Sequence, residues 1–114
     1  MPDDDEPPYF LMCSACYTPC PSTEAHVIPR WNPAMARVLT TYRCGNCWLG
    51  ALADLRTLVS AGNDAVHASL CDFLDRHGYA NDAETIRAAP AATRQVYLLK
   101  VIDAVQEGAV VFDP

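Results

Sequence analysis

Two Cys-x-x-Cys motifs are the part of this sequence whose residue types and spacing can do chemistry. The first is Cys13-Ser-Ala-Cys16 and the second is Cys44-Gly-Asn-Cys47. Each motif offers two sulfurs from one tight turn, so a tetrahedral zinc site closes as soon as the two turns meet. The four cysteines are therefore the predicted ligands of one structural zinc ion.

The same spacing also allows a disulfide, a redox centre or another metal. Residues 1–6 are acidic and no apolar signal sequence follows them, which favours a cytoplasmic protein with reduced thiols. Two redox motifs that face each other are an unusual way to build an oxidoreductase. Zinc is therefore the preferred interpretation. Cys20 is an alternative ligand, although a free thiol near the site is favoured.

Length and composition limit the class of protein. The chain has 114 residues, 51% of them hydrophobic, and a formal charge of −6. This suits one domain with a real core, and no apolar run is long enough for a membrane helix, so no membrane partner is predicted. The charge is uneven. Residues 1–8 carry four acids, residues 9–50 carry one acid and three arginines, and residues 51–114 carry nine acids and five bases.

The net charge disfavours an extended nucleic-acid surface, because phosphate contacts need clustered lysine and arginine. A small basic patch remains beside His26, and its candidate phosphate-binding residues are Arg30, Arg37 and Arg43. An equally simple interpretation is that these three arginines are ordinary surface charges with no role in phosphate binding.

Prolines separate the first part of the chain from a helical second part. Four of them exclude a long helix between residues 19 and 33, where loops and short strands are expected. Residues 38–43 have the β-branched and aromatic content of a hairpin strand. From Trp48 onward the apolar spacing is helical. It predicts helices that end near Gly62, Gly78, Pro90 and Gly108.

Further signals refine the helices. Asn63 or Asp64 is the predicted N-cap of the second helix, and Asn81 or Asp82 begins the third. Ile102 lies in the middle of the apolar face of the last helix. On the second helix, His67 and Cys71 are four residues apart, a spacing that would let both bind one metal ion. The preferred interpretation is that both lie half-buried at the boundary between the apolar and the exposed face of this helix. Residues 109–112 are a possible last extended piece.

The position of the second motif predicts the fold. Cys44 and Cys47 come at the start of a helix, where free amides and the helix dipole stabilise thiolates. We call each Cys-x-x-Cys turn a knuckle. In a treble clef, the first knuckle precedes a hairpin and the second lies in the first turn of a helix, whereas a zinc ribbon places both knuckles on hairpins. The predicted fold is α+β and mainly α, with a small zinc-bound treble-clef lobe followed by a bundle of three to four short helices.

The predicted organisation has three parts. Residues 1–8 form a disordered acidic tail, residues 9–62 form the treble-clef-like zinc lobe, and residues 63–114 form a helical bundle packed on that lobe. Together they are expected to make a single compact domain.

The run His26-Val-Ile-Pro-Arg-Trp, placed between two Cys-x-x-Cys motifs of which the second enters a helix, resembles the zinc-bearing HNH (His-Me finger) endonucleases over residues 13–52. The resemblance implies that His26 is the general base that activates water against a phosphodiester. It also implies a catalytic metal held by a residue just before this histidine and by another in the helix. Ala25 and Trp48 occupy those places here, and Glu24 is displaced by one position.

The missing ligands decide between the classes of function, because phosphodiester cleavage needs a cation to carry the developing charge. They favour a non-enzymatic, zinc-stabilised protein-interaction module that neutralises or regulates a basic partner protein. The alternative is a metal-dependent HNH-type nuclease with His26 as the general base, although a structural or surface role of His26 is preferred. A second alternative is a DNA-binding regulator that uses the arginines.

Overall fold

The computed structural model describes residues 10–112, so the predicted acidic tail lies outside the described part. The described chain is α+β, with two antiparallel sheets and four helices, as predicted. Its elements are β1 (Phe10–Met12), β2 (Pro19–Pro21), β3 (His26–Asn32), β4 (Arg37–Arg43), α1 (Trp48–Ser60), α2 (Asp64–Arg76), α3 (Ala80–Ala88) and α4 (Ala91–Gln106). Within these bounds, none of the helices has the length and hydropathy that a bilayer crossing requires.

Both sheets are two-stranded hairpins. β1 pairs with β2, and the connection between them carries the first Cys-x-x-Cys motif. β3 pairs with β4 from His26 opposite Arg43 to Asn32 opposite Arg37, which confirms the strand predicted over residues 38–43. A two-stranded sheet leaves one edge of each strand unpaired. Prolines are tolerated in β2 and β3 for this reason, since they lack the amide that an inner strand would need.

Three glycines end helices as predicted. Gly62, Gly78 and Gly108 follow α1, α2 and α4 with φ of 76°, 93° and 81°, a conformation that residues with a side chain rarely adopt. The start of α2 is also as expected. Asn63 Oδ1 accepts hydrogen bonds from the amides of Ala65 and Val66 at 2.9 and 3.3 Å.

The third helix starts earlier than its polar residues indicate. Asn81 or Asp82 was expected to begin it, but α3 starts at Ala80 after Tyr79. Tyr79 is held by tertiary contacts: its hydroxyl donates to the carbonyl of Val111 at 3.1 Å, and its ring meets the Phe112 ring edge to face. These contacts fix the start of α3, and a local capping signal cannot reveal them.

One hydrophobic cluster runs through the described chain. The hairpin contributes Ile28 and Val38, and the four helices contribute most of the remaining buried side chains. Residues 109–112 form no strand there, and Phe112 instead closes the core against Phe73, with the ring centroids 4.9 Å apart. The β3–β4 hairpin and the helices thus share a core, while the division at residue 62 stays a prediction.

Candidate metal centre

The first knuckle is a tight turn that is hydrogen-bonded to the β3–β4 hairpin. The amide of Cys13 donates to Thr18 O at 3.1 Å and the amide of Tyr17 donates to Cys13 O at 3.0 Å. Tyr17 has a φ of 60°, an uncommon value for a residue with a side chain, and it reverses the chain after Cys16. The amide of Ser14 donates to Tyr42 O at 2.8 Å. These bonds bring the first knuckle beside the end of β4.

The second knuckle joins β4 to α1. Cys44 follows the last residue of β4, and its carbonyl accepts from the amides of Cys47 and Trp48 at 3.1 and 3.2 Å. Cys47 is the N-cap residue of α1, and its carbonyl accepts the first helical bond, from Ala51 at 3.1 Å. The sulfurs of Cys44 and Cys47 thus lie at the end of a strand and at the start of a helix.

The four predicted ligands come together. Their sulfurs all lie within 4.8 Å of one another, and Cys16 Sγ is 3.7 Å from Cys44 Sγ. A tetrahedral zinc site with bonds of about 2.3 Å has sulfurs about 3.8 Å apart, and the distance between Cys16 Sγ and Cys44 Sγ already matches this spacing. All four are free cysteines, and only Cys13 is buried. In the part of the chain that the structure describes, no other group of three or more metal-ligating residues is found.

The protonation of the sulfurs shows why this group suits a cation. Burial alone would raise the pKa of Cys13, but the amides of Cys16, Cys44 and Ala15 outweigh it and lower that pKa to about 6. Hydrogen bonds from the Cys47 thiol to the sulfurs of Cys44 and Cys16 raise the pKa of Cys47 to about 12. The amides around Cys13 therefore make one proton easy to lose, whereas the neighbouring sulfurs cause Cys47 to hold its proton. Several thiolates at this distance repel each other. A divalent cation offsets that repulsion.

Hydrogen bonds to Cys16 also favour its thiolate. The Thr18 hydroxyl lies 3.3 Å from Cys16 Sγ, and this hydroxyl and the Thr18 amide lower the pKa of Cys16. Such donors stabilise negative charge on sulfur and orient it, as outer-shell groups do in metal sites.

Cys20, the alternative ligand, is placed differently. It is buried in β2, outside the four-sulfur group, and its thiol is 3.6 Å from the carbonyl of Pro21. Burial and then the charge of Glu24 raise the pKa of Cys20. This environment is that of a free thiol near the site.

His26 lies at the first position of β3, half-buried beside a cleft of about 340 Å³. Its ring stacks on the ring of Trp48, with centroids 4.3 Å apart and planes at 6°. Burial lowers the pKa of His26, which favours the neutral imidazole. Glu24 is exposed in the preceding turn. The tryptophan that takes the place of a ligand in the HNH resemblance therefore packs directly against the predicted base.

The three arginines do not form one surface patch. Arg30 and Arg37 are exposed. Arg43 is only 6% exposed, and its Nε donates to Thr41 Oγ1 at 3.3 Å. The alternation of residues along a strand does not predict this burial. The first knuckle lies beside the end of β4 only in the folded chain, where the two Cys-x-x-Cys motifs come together.

His67 and Cys71 are fully buried, so the half-buried boundary expected for them is wrong. The Nε2 of His67 lies 3.0 Å from the carbonyl of Val59, which makes Nε2 the donor, and Nδ1 has no hydrogen-bond partner among the described residues. Burial raises the pKa of Cys71. Both residues therefore belong to the core of the helical part.

Comparisons with protein-family models, with curated proteins and with solved structures find no match for this chain. The HNH resemblance stays a prediction from the residues of the two motifs and the run that begins at His26.

Proposed function

We propose that this chain is a non-enzymatic interaction module, stabilised by one zinc ion, that binds and neutralises or regulates a basic partner protein. The observation that carries the proposal is the set of four cysteine sulfurs within 4.8 Å. Four protein ligands fill a tetrahedron, and closed sites of this kind are structural, whereas catalytic zinc sites keep a position for water or substrate. Thiolates are soft ligands that select zinc over calcium and magnesium.

The zinc lobe in this proposal is a treble clef of the HNH-like type that has lost catalysis. Two features support it. The first knuckle connects β1 with β2, and the second lies between β4 and the start of α1. In addition, the ring of Trp48 covers one face of His26. A general base needs access to water and a cation near the scissile phosphate, and a stacked indole supplies neither.

Charge supports a basic partner. Asp82 and Glu84 are exposed on α3, and neither forms an ion pair within residues 10–112. By contrast, Arg87 is paired with Asp72 and Asp75 at 2.6 and 3.4 Å. Unpaired carboxylates attract a positively charged surface and increase the association rate.

A capture experiment tests the partner. The immobilised chain is compared with Asp82→Asn/Glu84→Gln, which removes two negative charges from α3, and with Thr23→Lys/Ala34→Lys, which adds two positive charges on the first half. Quantitative mass spectrometry should identify a basic protein that the α3 variant retains several-fold less than the control, and that salt releases. Equal retention by all three chains would reject α3 as the contact surface.

A cleavage experiment tests the non-enzymatic part. The purified chain should leave DNA and RNA intact with magnesium, manganese, nickel or zinc. Metal-dependent nicking that persists through repurification and disappears in His26→Ala would establish the nuclease instead. Specific DNA binding without cleavage, lost in Arg30→Gln, would favour the DNA-binding regulator.

A further inference from the structure

A cavity of about 360 Å³ lies between the first knuckle, β3 and α1, and none of the zinc-ligand candidates lines it. An apolar wall includes Trp31 of β3 and Leu58 of α1. The charged lining residues are Arg30 and Arg43 of the hairpin and Asp54, which also lies on α1. A concave site with an apolar wall and a few convergent polar groups is the usual form of a small-molecule site.

Arg43 is the unusual residue of this cavity. It is 6% exposed, and its one side-chain hydrogen bond within residues 10–112 runs from Nε to Thr41 Oγ1. No carboxylate lies within ion-pair distance of it in that part of the chain. A guanidinium carries five N–H donors, and the Nη atoms of Arg43 are not among the fully enclosed nitrogens that lack a partner, so they face open space. The remaining donors are thus available to a group in the cavity.

Arg30 supplies a second positive charge on the same cavity, and it also forms no ion pair with a described residue. Two arginines against Asp54 leave a local charge of about +1, although the whole chain is acidic. Guanidinium groups recognise phosphate oxygens through paired N–H donors and accept the double charge of a phosphomonoester.

We propose that this cavity binds a small organic phosphomonoester. Its phosphate lies against Arg43 and Arg30, and its organic body lies along the apolar wall, where Trp31 and Leu58 offer contact area. Asp54 opposes the anion and keeps the affinity moderate. This site is independent of the proposed protein partner, which would use the exposed carboxylates of α3.

Arg43 has one competing explanation. It precedes Cys44, and four thiolates around one Zn²⁺ carry a net charge of −2, which an arginine would partly offset. Under that explanation Arg43 affects metal retention alone, and Arg30 and Asp54 have no part in anion binding.

The test measures binding of phenyl phosphate to the full, zinc-loaded chain by calorimetry, with inorganic phosphate as the second probe. Arg43→Gln should weaken phenyl phosphate binding by about tenfold or more, and Arg30→Gln by several-fold. Arg37→Gln is the matched control, because Arg37 is an exposed arginine of the same hairpin that does not line the cavity. It should leave the affinity unchanged.

Asp54→Asn should strengthen binding by a few-fold, an increase that a folding defect cannot imitate. If Arg43→Gln fails to fold, Arg30→Gln and Asp54→Asn still decide the matter. Equal losses in all three arginine variants, no binding at millimolar probe, or zinc loss in Arg43→Gln with unchanged phenyl phosphate affinity would each overturn the proposal. Equal affinity for inorganic phosphate would refute the organic part of the ligand.

Discussion

The cysteine region, residues 10–47, and the helical region, residues 48–112, bury very different amounts of apolar surface. Of the eighteen buried hydrophobic residues in the described chain, the cysteine region holds four, and two of those are Cys13 and Cys20. The remaining fourteen lie in the helical region and form most of the core. Apolar burial therefore accounts for the fold of the helices, whereas the cysteine region lacks enough of it and requires another source of stability.

Removal of one of the four candidate metal ligands should separate the two regions most strongly. In Cys44→Ser the sulfurs no longer close a tetrahedral site, and we expect loss of the metal and of amide protection across the cysteine region. Zinc binding of this kind is worth on the order of 10 kcal/mol in isolated fingers. The measurements are zinc per chain and hydrogen exchange.

Cys20→Ser is the matched control for this experiment, because Cys20 is a buried cysteine outside the four-sulfur group. It should retain the metal. A wild-type preparation that is fully folded with less than about half a zinc per chain would contradict the assignment of stability to the metal.

The opposite test acts on the helical region. Ile102 is 2% exposed in the core, so Ile102→Asp buries a carboxylate without a partner, and we expect a loss of about 4 kcal/mol or more and no cooperative melt. Val96→Asp on the same helix is the control, since Val96 is 48% exposed. An unchanged melting curve for Ile102→Asp would show that this face of α4 is not part of the core.

A third variant addresses the junction of the two regions. The amide of the fully buried Val38 in β4 donates to Ser69 Oγ of α2 at 2.6 Å. Ser69→Ala leaves that amide unsatisfied, and we expect a loss of about 1–3 kcal/mol in denaturant unfolding. Ser60→Ala, an exposed serine at the end of α1, should change stability little. Equal effects would mean that this bond does not couple the hairpin to α2.

The smallest expected effect lies entirely within the helical region. Asn63→Ala removes the cap of α2 and should cost about 1 kcal/mol without changing zinc content. Asn63→Asp keeps an acceptor oxygen at the same position and should retain most of the stability. A loss of metal in Asn63→Ala would show that the two regions are more tightly coupled than their contacts indicate.

The features that sequence predicted well are those encoded within a few residues. The two cysteine motifs converge, the hairpin strand over residues 38–43 is present, and the glycines end their helices, because a turn, a strand period and a positive φ are local requirements. Asn63 or Asp64 was predicted as the cap of α2 for the same reason, and the side chain of Asn63 bonds the amides just after it.

Features that depend on what packs across space were not predicted. The burial of Arg43, the stacking of His26 on Trp48 and the early start of α3 each require a neighbour that is distant in sequence. His67 illustrates the point: its spacing to Cys71 is compatible with a metal pair, but the side chain bonds Val59 O in the preceding helix. Periodicity gives the face of a helix and not the group that covers it.

Helix α1 starts at the second ligand pair and buries Leu52, Leu55 and Val59 in the common core. One rigid helix thus belongs to the proposed zinc site and to the apolar interior at the same time. By mass action, each tenfold rise in free zinc above the dissociation constant adds about 1.4 kcal/mol to the free energy of unfolding. Zinc scarcity would consequently raise the unfolded fraction of the chain and its degradation by proteases, so that cellular abundance follows metal supply.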